Sequence, residues 1–354
     1  MSEIMDSTTS EERIRTALER IAGGASLQRA EASCVMADVA AGEVGATQLA
    51  ALLMGLRVKG ESVEEIAGFA DAMRAHSVAV TAPHDAIDTC GTGGDGSGTF
   101  NVSTVAAFVA AGAGAVVAKH GNRAMSSSCG SADVLEALGA TLELPPHQVE
   151  SLFASVGFGF MFAPAYHPAM RHVAGVRRDL RVRTVFNVLG PLLNPAGVRR
   201  QILGVARPGL APRMANVLRE LGTERALVVH GLDGTDELSL GAATQVWELR
   251  DGQLRSYELT PEDVGLPRAP LSALRGGDRE TNADIARAVL SGTTGPHRDV
   301  VAFNAGAAIY IAGKSDTLAA GVRRAEEVID SGAARERLAA FVSATSEAAA
   351  EMQA

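Results

Sequence analysis

From residue 86 onward, short apolar runs alternate with segments in which apolar residues recur at helical spacing. This alternation restricts the fold more than any other feature, because it is typical of a mostly parallel sheet covered by helices. Asp251-Gly252 lies between two further apolar runs, 246–249 and 254–257, and predicts an antiparallel hairpin. From about residue 281 the pattern predicts three helices. The remaining predicted strands are 86–90, 115–118, 159–162, 202–206 and 226–229, and the helices among them are near 104–112, 132–138, 147–155 and 211–221.

Residues 10–76 carry helical patterns only, including a capping box formed by Ser62 and Glu65. The stretch 167–195 is again helical and rich in arginine, so we expect it to join the N-terminal helices. The predicted fold class is therefore α plus α/β. A small all-helical domain would comprise residues 1–80 plus about 168–195, and a larger α/β domain with a mostly parallel central sheet about 84–165 plus 197–354. One helix face, buried in the core or in a subunit interface, is marked by Leu49, Leu52, Leu53 and Leu56.

Composition excludes several classes of function. A chain of 354 residues is longer than one hydrophobic core usually supports, which agrees with two domains. Its net charge of -9 argues against nucleic acid as a main partner. The cysteines Cys34, Cys90 and Cys129 form no metal or disulfide pattern, which predicts a reducing cytoplasm. Neither the acidic first 20 residues nor the most apolar stretch, 102–118, predicts a signal peptide or a membrane span.

The strongest local signal is the segment Gly-Thr-Gly-Gly-Asp-Gly-Ser-Gly at 91–98, followed by a helix that opens with Asn-Val-Ser-Thr at 101–104. Its glycines let the backbone turn tightly and present N–H groups to an anion, and the helix N-terminus adds free donors. The alternative is a flexible loop. A dinucleotide site would need an acidic residue about 20 positions later, where this chain has Lys-His-Gly-Asn-Arg at 119–123. A P-loop is excluded because Ala308 replaces the glycine required before Gly313-Lys314-Ser315.

Three further features of the sequence each allow two interpretations. Ser126, Ser127 and Ser128 precede a predicted helix and are either caps or anion donors. His120 is either a packed histidine or a catalytic one. The arginines that follow His167 form either a solvated basic face or, because a guanidinium is planar, a site that binds a carboxylate. These arginines are Arg171, Arg177, Arg178, Arg181 and Arg183.

An acidic turn follows the predicted strand that ends at His230. Its carboxylates, Asp233, Asp236 and Glu237, lie at the carboxyl end of a strand and suit a hard cation such as Mg²⁺. Adjacent strand residues point to opposite faces, so Asp236 and Glu237 can share a metal only if the chain turns. Asp233-Gly234 supplies that turn. The alternative is an acidic surface turn without a ligand.

Together these motifs resemble the anthranilate phosphoribosyltransferase family over nearly all of residues 11–345. The resemblance implies a nucleoside phosphorylase/phosphoribosyltransferase-like fold that binds 5-phosphoribosyl 1-pyrophosphate (PRPP) and Mg²⁺ between the two domains. It also implies a homodimer that transfers the phosphoribosyl group to the amine of anthranilate in tryptophan biosynthesis. The family usually has glycine where this chain has Arg181, which suggests a tight helix end there. The matching blocks are GTGGD (91–95), NVST (101–104), KHGNR (119–123), GSADVLEALG (130–139), RTVFNVLGPLLNP (183–195) and HGLDGTDE (230–237).

The resemblance also implies roles for individual residues. Magnesium would be held by Ser103, Asp236 and Glu237. Anthranilate would meet Gly91, Asn122, His167 and Arg177. No residue has to act as a covalent nucleophile. The residues implied to bind the donor are Gly91, Gly93, Gly94, Asp95, Thr99, Asn101, Ser103, Thr104, Lys119 and Ser131.

The implied reaction depends on positioning and charge, since the anthranilate amine is already nucleophilic and needs no strong base. Magnesium would neutralise the leaving pyrophosphate while positive charge develops at ribose C1. The nearest rival is a pyrimidine nucleoside phosphorylase, which takes free phosphate and needs no acidic pair such as Asp236-Glu237. A non-catalytic relative would be expected to have lost Lys119, the glycines or the acidic pair, and this chain has all of them.

Overall fold

The computed structural model describes residues 9–124 and 128–352, and it begins with four helices. The leucine face predicted from its spacing is buried, and Ser62 caps the fourth helix in a capping box with Glu65. The Glu65 carboxylate is itself buried and accepts hydrogen bonds from Leu27 N at 3.0 Å and Lys59 Nζ at 2.9 Å. This carboxylate therefore joins three helix ends. The helices are α1 (Ser10–Ala22), α2 (Arg29–Ala41), α3 (Ala46–Lys59) and α4 (Val63–Ala75).

All seven predicted strands are confirmed, and they form one sheet in the order β3-β2-β1-β4-β5-β6-β7. The first five are parallel, and β6 and β7 form the predicted antiparallel hairpin at one edge. Asp251 and Gly252 take positive φ angles of 52° and 76°, as the tight turn requires. The strands are β1 (Ile87–Gly91), β2 (Val117–Gly121), β3 (Phe158–Phe162), β4 (Arg200–Gly204), β5 (Arg225–Gly231), β6 (Thr244–Arg250) and β7 (Gln253–Leu259).

Helices cover the sheet, which confirms the predicted fold class. The first group comprises α5 (Val102–Gly112), α6 (Ser131–Ala137), α7 (Pro146–Ser155), α8 (Ala163–Tyr166), α9 (Arg171–Leu180), α10 (Phe186–Leu189) and α11 (Ala211–Glu220). The tail contains α12 (Arg279–Leu290), α13 (Pro296–Ile311), α14 (Leu318–Asp330) and α15 (Ala333–Glu351). Among the described residues, none of these helices has both the length and the apolarity needed to cross a bilayer.

The prediction of three helices in the tail is wrong, because the structure has four. The breaks between them are short. Only Ser331 and Gly332 separate α14 from α15, and Gly332 reverses the chain at φ 79°. A break of two residues leaves the apolar spacing almost uninterrupted, so periodicity alone does not reveal it.

Two large hydrophobic cores contain most of the buried apolar residues that the structure describes. One lies between the sheet and α5, α13, α14 and α15. Within it the rings of Phe108 and Phe158 are stacked, with their centroids 4.3 Å apart. The other includes Phe69 of α4, Val173 of α9 and Leu189 of α10. This second core continues through Met214 of α11 to the other face of the sheet. The helical part is therefore packed directly against the strands that carry the site.

Arg181 ends α9 in the left-handed conformation, at φ 51° and ψ 27°, so the expected tight helix end is confirmed. This backbone is unfavourable for any side chain with a Cβ atom and open to glycine. We expect Arg181→Gly to raise the free energy of unfolding by about 0.5 to 1 kcal/mol. Urea unfolding of both proteins measures the change. Arg178→Gly, three residues earlier inside α9, is the matched control and should lower stability by about 1 kcal/mol.

Candidate active site

The candidate site lies at the carboxyl ends of the parallel strands. β1 pairs with β2 on one side and with β4 on the other, so the loops that leave these strands diverge. In open α/β sheets, ligands bind in the crevice that such a divergence leaves. The loops after β1, β2 and β5 carry the glycine-rich segment, Asn122 and the acidic turn. The fold therefore brings together motifs that are far apart in the sequence.

The glycine-rich loop has a backbone that few other residues could adopt. Its positive φ angles lie between 60° and 73°, at Gly93, Gly94, Gly96 and Gly98. Gly93 N donates a hydrogen bond to Asp236 Oδ2 at 2.8 Å. A Cβ atom on Gly94 would lie 2.1 Å from Arg183 Nη1. The loop is thus fixed between the acidic turn and an arginine.

The start of α5 places polar side chains beside this loop. The Asn101 amide is held at both ends, because its Nδ2 donates to Cys129 O at 3.1 Å and its Oδ1 accepts from Asn282 Nδ2 at 3.0 Å. Ser103 Oγ lies 3.4 Å from Lys119 Nζ. The Thr104 side chain is buried, so of these three residues it is the least accessible to a ligand. In the preceding loop, Thr99 Oγ1 lies 3.1 Å from Ser97 Oγ.

Lys119, in β2, is a buried cation. Its ammonium donates to Thr89 O and lies 3.4 Å from Thr89 Oγ1 and from Ser103 Oγ. Burial lowers the pKa of Lys119, and the negative charges of Asp88 and Glu237 oppose that shift. A phosphate at the start of α5 would add the negative charge that favours the ammonium form.

Asp88 and Asn194 form a buried polar link beneath the site, and sequence reasoning missed it. Asn194 Nδ2 donates to Asp88 Oδ2 and to Ala118 O, both at 2.8 Å. Burial raises the pKa of Asp88 to about 6, and the nearby Lys119 lowers it. This link ties β1 and β2 to the segment that follows α10. The available signal was an acidic residue inside a predicted buried strand.

The acidic turn meets the glycine-rich loop in a crowded cluster of carboxylates. Burial, followed by the charge of the adjacent Asp95 carboxylate, raises the pKa of Asp236 to about 6. Burial, followed by the charge of Asp236, raises the pKa of Glu237 to about 8. Asp95 Oδ2 is buried and has no hydrogen-bond partner among the described residues. A bound cation would stabilise all three carboxylates in their charged form.

Backbone geometry fixes the position of this turn. Gly234 takes φ 95°, so the turn predicted at Asp233-Gly234 is confirmed. A Cβ atom on Gly204 would lie 1.6 Å from Asp236 O, so only glycine allows β4 to approach this closely. Asp233 has a different role, since it accepts a hydrogen bond from Ser239 Oγ at 2.5 Å inside the turn. Of the three carboxylates in the turn, Asp236 and Glu237 are therefore available to a metal.

These residues fit Mg²⁺ held jointly by protein and substrate. Within 9–124 and 128–352, no three His, Cys, Asp or Glu side chains form a ready-made metal cage. Mg²⁺ is usually bound by one or two carboxylates together with phosphate oxygens of the substrate. Asp236 and Glu237, with the unpartnered Asp95 Oδ2 beside them, match that mode.

Two histidines meet at the side of the site implied to bind the acceptor. His167 Nε2 and His120 Nε2 lie 3.1 Å apart. Burial lowers the pKa of His120 to about 3 and that of His167 to about 4. Both rings are therefore neutral near pH 7, and one nitrogen donates to the other. His120 thus packs against His167. The role of His167 at the acceptor had been predicted from the family resemblance alone.

The neighbouring arginines Arg177 and Arg178 differ sharply in their surroundings. Arg177 is half-buried, with its guanidinium 5.6 Å from the Phe186 ring centroid, and burial lowers the pKa of Arg177. The Arg178 side chain is 80% exposed and its nearest ion pair, with Asp179, is 4.0 Å long. Of these two arginines, only Arg177 is therefore enclosed enough to fix the orientation of a ligand.

The loop after β2 holds the last of the predicted residues. Asn122 is exposed, and its Oδ1 accepts from Arg123 N at 2.8 Å. Ser131 Oγ donates to Asn122 O at 3.3 Å, which links α6 to this loop. Ser128 Oγ donates to Gly277 O at 2.8 Å, whereas Ser126 and Ser127 lie outside the described residues.

Two family models match the chain, one for each part of the fold. The helical bundle domain of a glycosyl transferase family matches residues 15–77, and the a/b domain of a glycosyl transferase family matches residues 83–335. Curated anthranilate phosphoribosyltransferases are similar over nearly the whole length. That of Rubrobacter xylanophilus is 55% identical over 93% of this chain and 96% of its own. That of Rhodopseudomonas palustris strain BisA53 is 51% identical over 94% of this chain and 98% of its own length.

Solved structures agree with these relatives. Anthranilate phosphoribosyltransferase from Thermus thermophilus is 50% identical with a TM-score of 0.89, over 93% of this chain and 99% of its own. The Saccharomyces cerevisiae enzyme in complex with PRPP and Mg is 31% identical, with a TM-score of 0.87. The match covers 94% of this chain and 98% of the yeast chain. The same yeast enzyme in complex with 4-fluoroanthranilate is 30% identical, with a TM-score of 0.86. That match covers 96% of this chain and 99% of the yeast chain. With these motifs placed together at the strand ends, the chain belongs to the anthranilate phosphoribosyltransferase family.

Proposed function

We propose that this protein transfers the phosphoribosyl group of PRPP to the amine of anthranilate, giving N-(5-phosphoribosyl)anthranilate and pyrophosphate in tryptophan biosynthesis. The observation that carries the proposal is the hydrogen bond of 2.8 Å from Gly93 N to Asp236 Oδ2. It joins an anion-binding loop to an acidic pair suited to a metal. A phosphorylase that uses free phosphate has no need of such a pair. The yeast relative was solved with PRPP and Mg, and also with 4-fluoroanthranilate.

Asp236 and Glu237, with Ser103, would hold Mg²⁺ against the donor. Asp236 is oriented by Gly93 N, which donates to its Oδ2 at 2.8 Å. When bound, magnesium neutralises charge on the leaving pyrophosphate. Lys119 and Asn101 lie by the start of α5, where the positive end of the helix dipole favours a phosphate. Because these groups are already in place, binding the donor requires little rearrangement of charge.

The acceptor would bind between α9 and the loop after β2. Arg177 would hold the anthranilate carboxylate, and Asn122 and His167 would flank the ring. In the transfer, the bond from ribose C1 to the pyrophosphate oxygen breaks, the amine nitrogen bonds to C1, and the amine then loses a proton to solvent. The neutral His120–His167 pair adds no positive charge to the site while oxocarbenium character develops at C1.

The direct test is activity of the purified protein. With PRPP and Mg²⁺ present, we expect anthranilate fluorescence to fall as phosphoribosyl-anthranilate forms. Leaving out PRPP or adding a chelator should stop the change. Unchanged fluorescence, combined with phosphate-dependent cleavage of a pyrimidine nucleoside, would favour the phosphorylase instead.

The proposal extends to the state of the protein in the cell. We propose a cytoplasmic homodimer, a location supported by the wide spacing of Cys34, Cys90 and Cys129, which form no disulfide or metal pattern in the sequence. We also propose a discontinuous helical domain of residues 1–80 plus about 168–195, supported by the core that Phe69 and Val173 share. The remaining residues, about 84–165 and 197–354, would form the domain that binds donor and metal.

A further inference from the structure

The end of the glycine-rich loop is backed by a second segment, residues 274–277, which sequence reasoning did not assign to the site. Gly276 N donates to Gly98 O at 2.9 Å, and Phe100 N donates to Leu274 O at 3.3 Å. The two segments therefore pair in the antiparallel sense. The backing segment leads into α12, and that helix contacts α5.

Asn282, near the start of α12, joins this segment to the donor side of the site, and its side chain is buried. Its Oδ1 accepts from Gly277 N at 2.8 Å, and its Nδ2 donates to Asn101 Oδ1 at 3.0 Å. Asn101 Nδ2 in turn donates to Cys129 O at 3.1 Å. Two side-chain amides and two backbone groups thus form one chain of three hydrogen bonds.

This chain of hydrogen bonds fixes which way each amide faces. The Gly277 N–H group can only donate, so the oxygen of Asn282 must face it and the NH₂ group of Asn282 must face Asn101. The Cys129 carbonyl can only accept, so it must be met by the NH₂ group of Asn101. Turning the Asn101 amide over would bring two NH₂ groups together at one end and two oxygens together at the other.

The orientation of the Asn101 amide decides what it can bind. An NH₂ group has two hydrogens, and among residues 9–124 and 128–352 only Cys129 O accepts from that of Asn101. The second hydrogen is left for a ligand at the start of α5, where the helix dipole favours negative charge. Oxygens of an ionised phosphate accept from an NH₂ group and are repelled by an amide oxygen. The orientation that Asn282 sets is therefore the one that a phosphate requires.

We propose that Asn282 is a positioning residue for the phosphoribosyl donor, because it turns the Asn101 NH₂ group toward a phosphate of PRPP and holds it there. The identity of that ligand rests on the proposed function. Asn282 does not have to touch the substrate, since it acts through Asn101 and through the backing segment 274–277. Without Asn282 the Asn101 amide is free to turn over, and binding the donor then has to fix its orientation at a cost in affinity.

The variant Asn282→Asp separates the two hydrogen bonds of this side chain. A carboxylate still accepts from Gly277 N, but it cannot donate to Asn101 Oδ1. Calorimetric titration of the full-length protein with PRPP and Mg²⁺ should give a dissociation constant about tenfold above that of the wild type. In steady-state kinetics the PRPP KM should rise by the same factor, while kcat and the anthranilate KM change by less than about twofold.

A double-mutant cycle with Asn101→Ala separates positioning from repulsion of the donor by the new carboxylate. Asn101→Ala alone should raise the PRPP dissociation constant by about tenfold. If Asn282 acts through Asn101, adding Asn282→Asp should change that constant by less than about twofold. A combined increase of about a hundredfold would mean that the two residues act independently, and the inference would then be wrong. Asn282→Ala introduces no charge and should give the same result in the cycle, including where the Asp variant folds poorly.

Gln148→Glu is the matched control, because it makes the same chemical change in another buried amide, whose Nε2 donates to Ala348 O at 3.0 Å between α7 and α15. It should lower the melting temperature and leave the PRPP constants unchanged. If Asn282→Asp gives the same PRPP constant as this control, the inference is overturned, even where the wild type transfers phosphoribosyl groups normally. A wild type that binds PRPP without transferring it would sink the proposed function, while the titrations would still decide the role of Asn282.

Discussion

Replacing Asp236 by Asn and Glu237 by Gln together should lower kcat/KM by about three orders of magnitude, because a bound metal contributes several kcal/mol of charge stabilisation. The amides keep the shape of the carboxylates but remove the charge that would hold Mg²⁺. We expect the double variant to need far more magnesium and to use PRPP poorly. Magnesium titration of the initial rate at fixed PRPP and anthranilate measures both effects.

Asp233→Asn is the control for this experiment. It makes the same chemical change in the same turn, but Asp233 accepts from Ser239 Oγ and does not face the loop. It should lower the melting temperature and leave the magnesium midpoint in place. If the double variant shows the wild-type midpoint, the acidic turn does not bind the metal.

The pH dependence of stability gives a second measure of the acidic pair. Burial raises the pKa of Glu237 to about 8 in the folded protein, from 4.5 when exposed. A group whose folded pKa is raised stabilises the protein fully below its unfolded pKa and loses that effect as pH rises through the folded pKa. The melting temperature of the metal-free wild type should therefore fall relative to Glu237→Gln between about pH 4.5 and 8. Added Mg²⁺ should reduce this difference.

Arg177→Ala should raise the anthranilate KM about tenfold to a hundredfold, because a charge-assisted hydrogen bond contributes about 1.5 to 3 kcal/mol. The PRPP KM should stay nearly unchanged. The half-buried guanidinium lies 5.6 Å from the Phe186 ring centroid, and its planar fork can fix the angle as well as the distance of a carboxylate. Kinetics with each substrate varied in turn measures both constants.

The chain offers two controls for this prediction. Arg178→Ala removes a side chain that is 80% exposed and should change either KM by less than about twofold. Arg177→Lys keeps the charge but loses the planar fork, so it should recover little of the lost affinity. Equal effects at positions 177 and 178, or an effect confined to PRPP, would show that anthranilate binds elsewhere.

Much of the fold could be predicted because its signals are local. Apolar runs marked each strand, and Asp251-Gly252 marked the hairpin through the backbone angles that only such a pair adopts readily. The number of helices in the tail was predicted less accurately than the strands. There, a break as short as Ser331-Gly332 hardly disturbs the apolar period.

The site was predictable where its chemistry sits in continuous motifs, such as the glycine-rich loop and Asp236-Glu237. It was not predictable where distant residues meet. Asp88 and Asn194 are 106 positions apart, and their contact depends on the register of β1 with its neighbours. Such meetings are set by tertiary packing, which sequence spacing does not encode.

The edges of the sheet have a consequence for solution behaviour. The outer strand β7 exposes Arg255 and Glu258, and charged side chains on an edge strand discourage another strand from pairing with it. At the opposite edge every residue of β3 is buried, and α7 and α15 pack against it. Neither edge is therefore a template on which further chains could add strands. The folded protein should therefore resist growth into fibres.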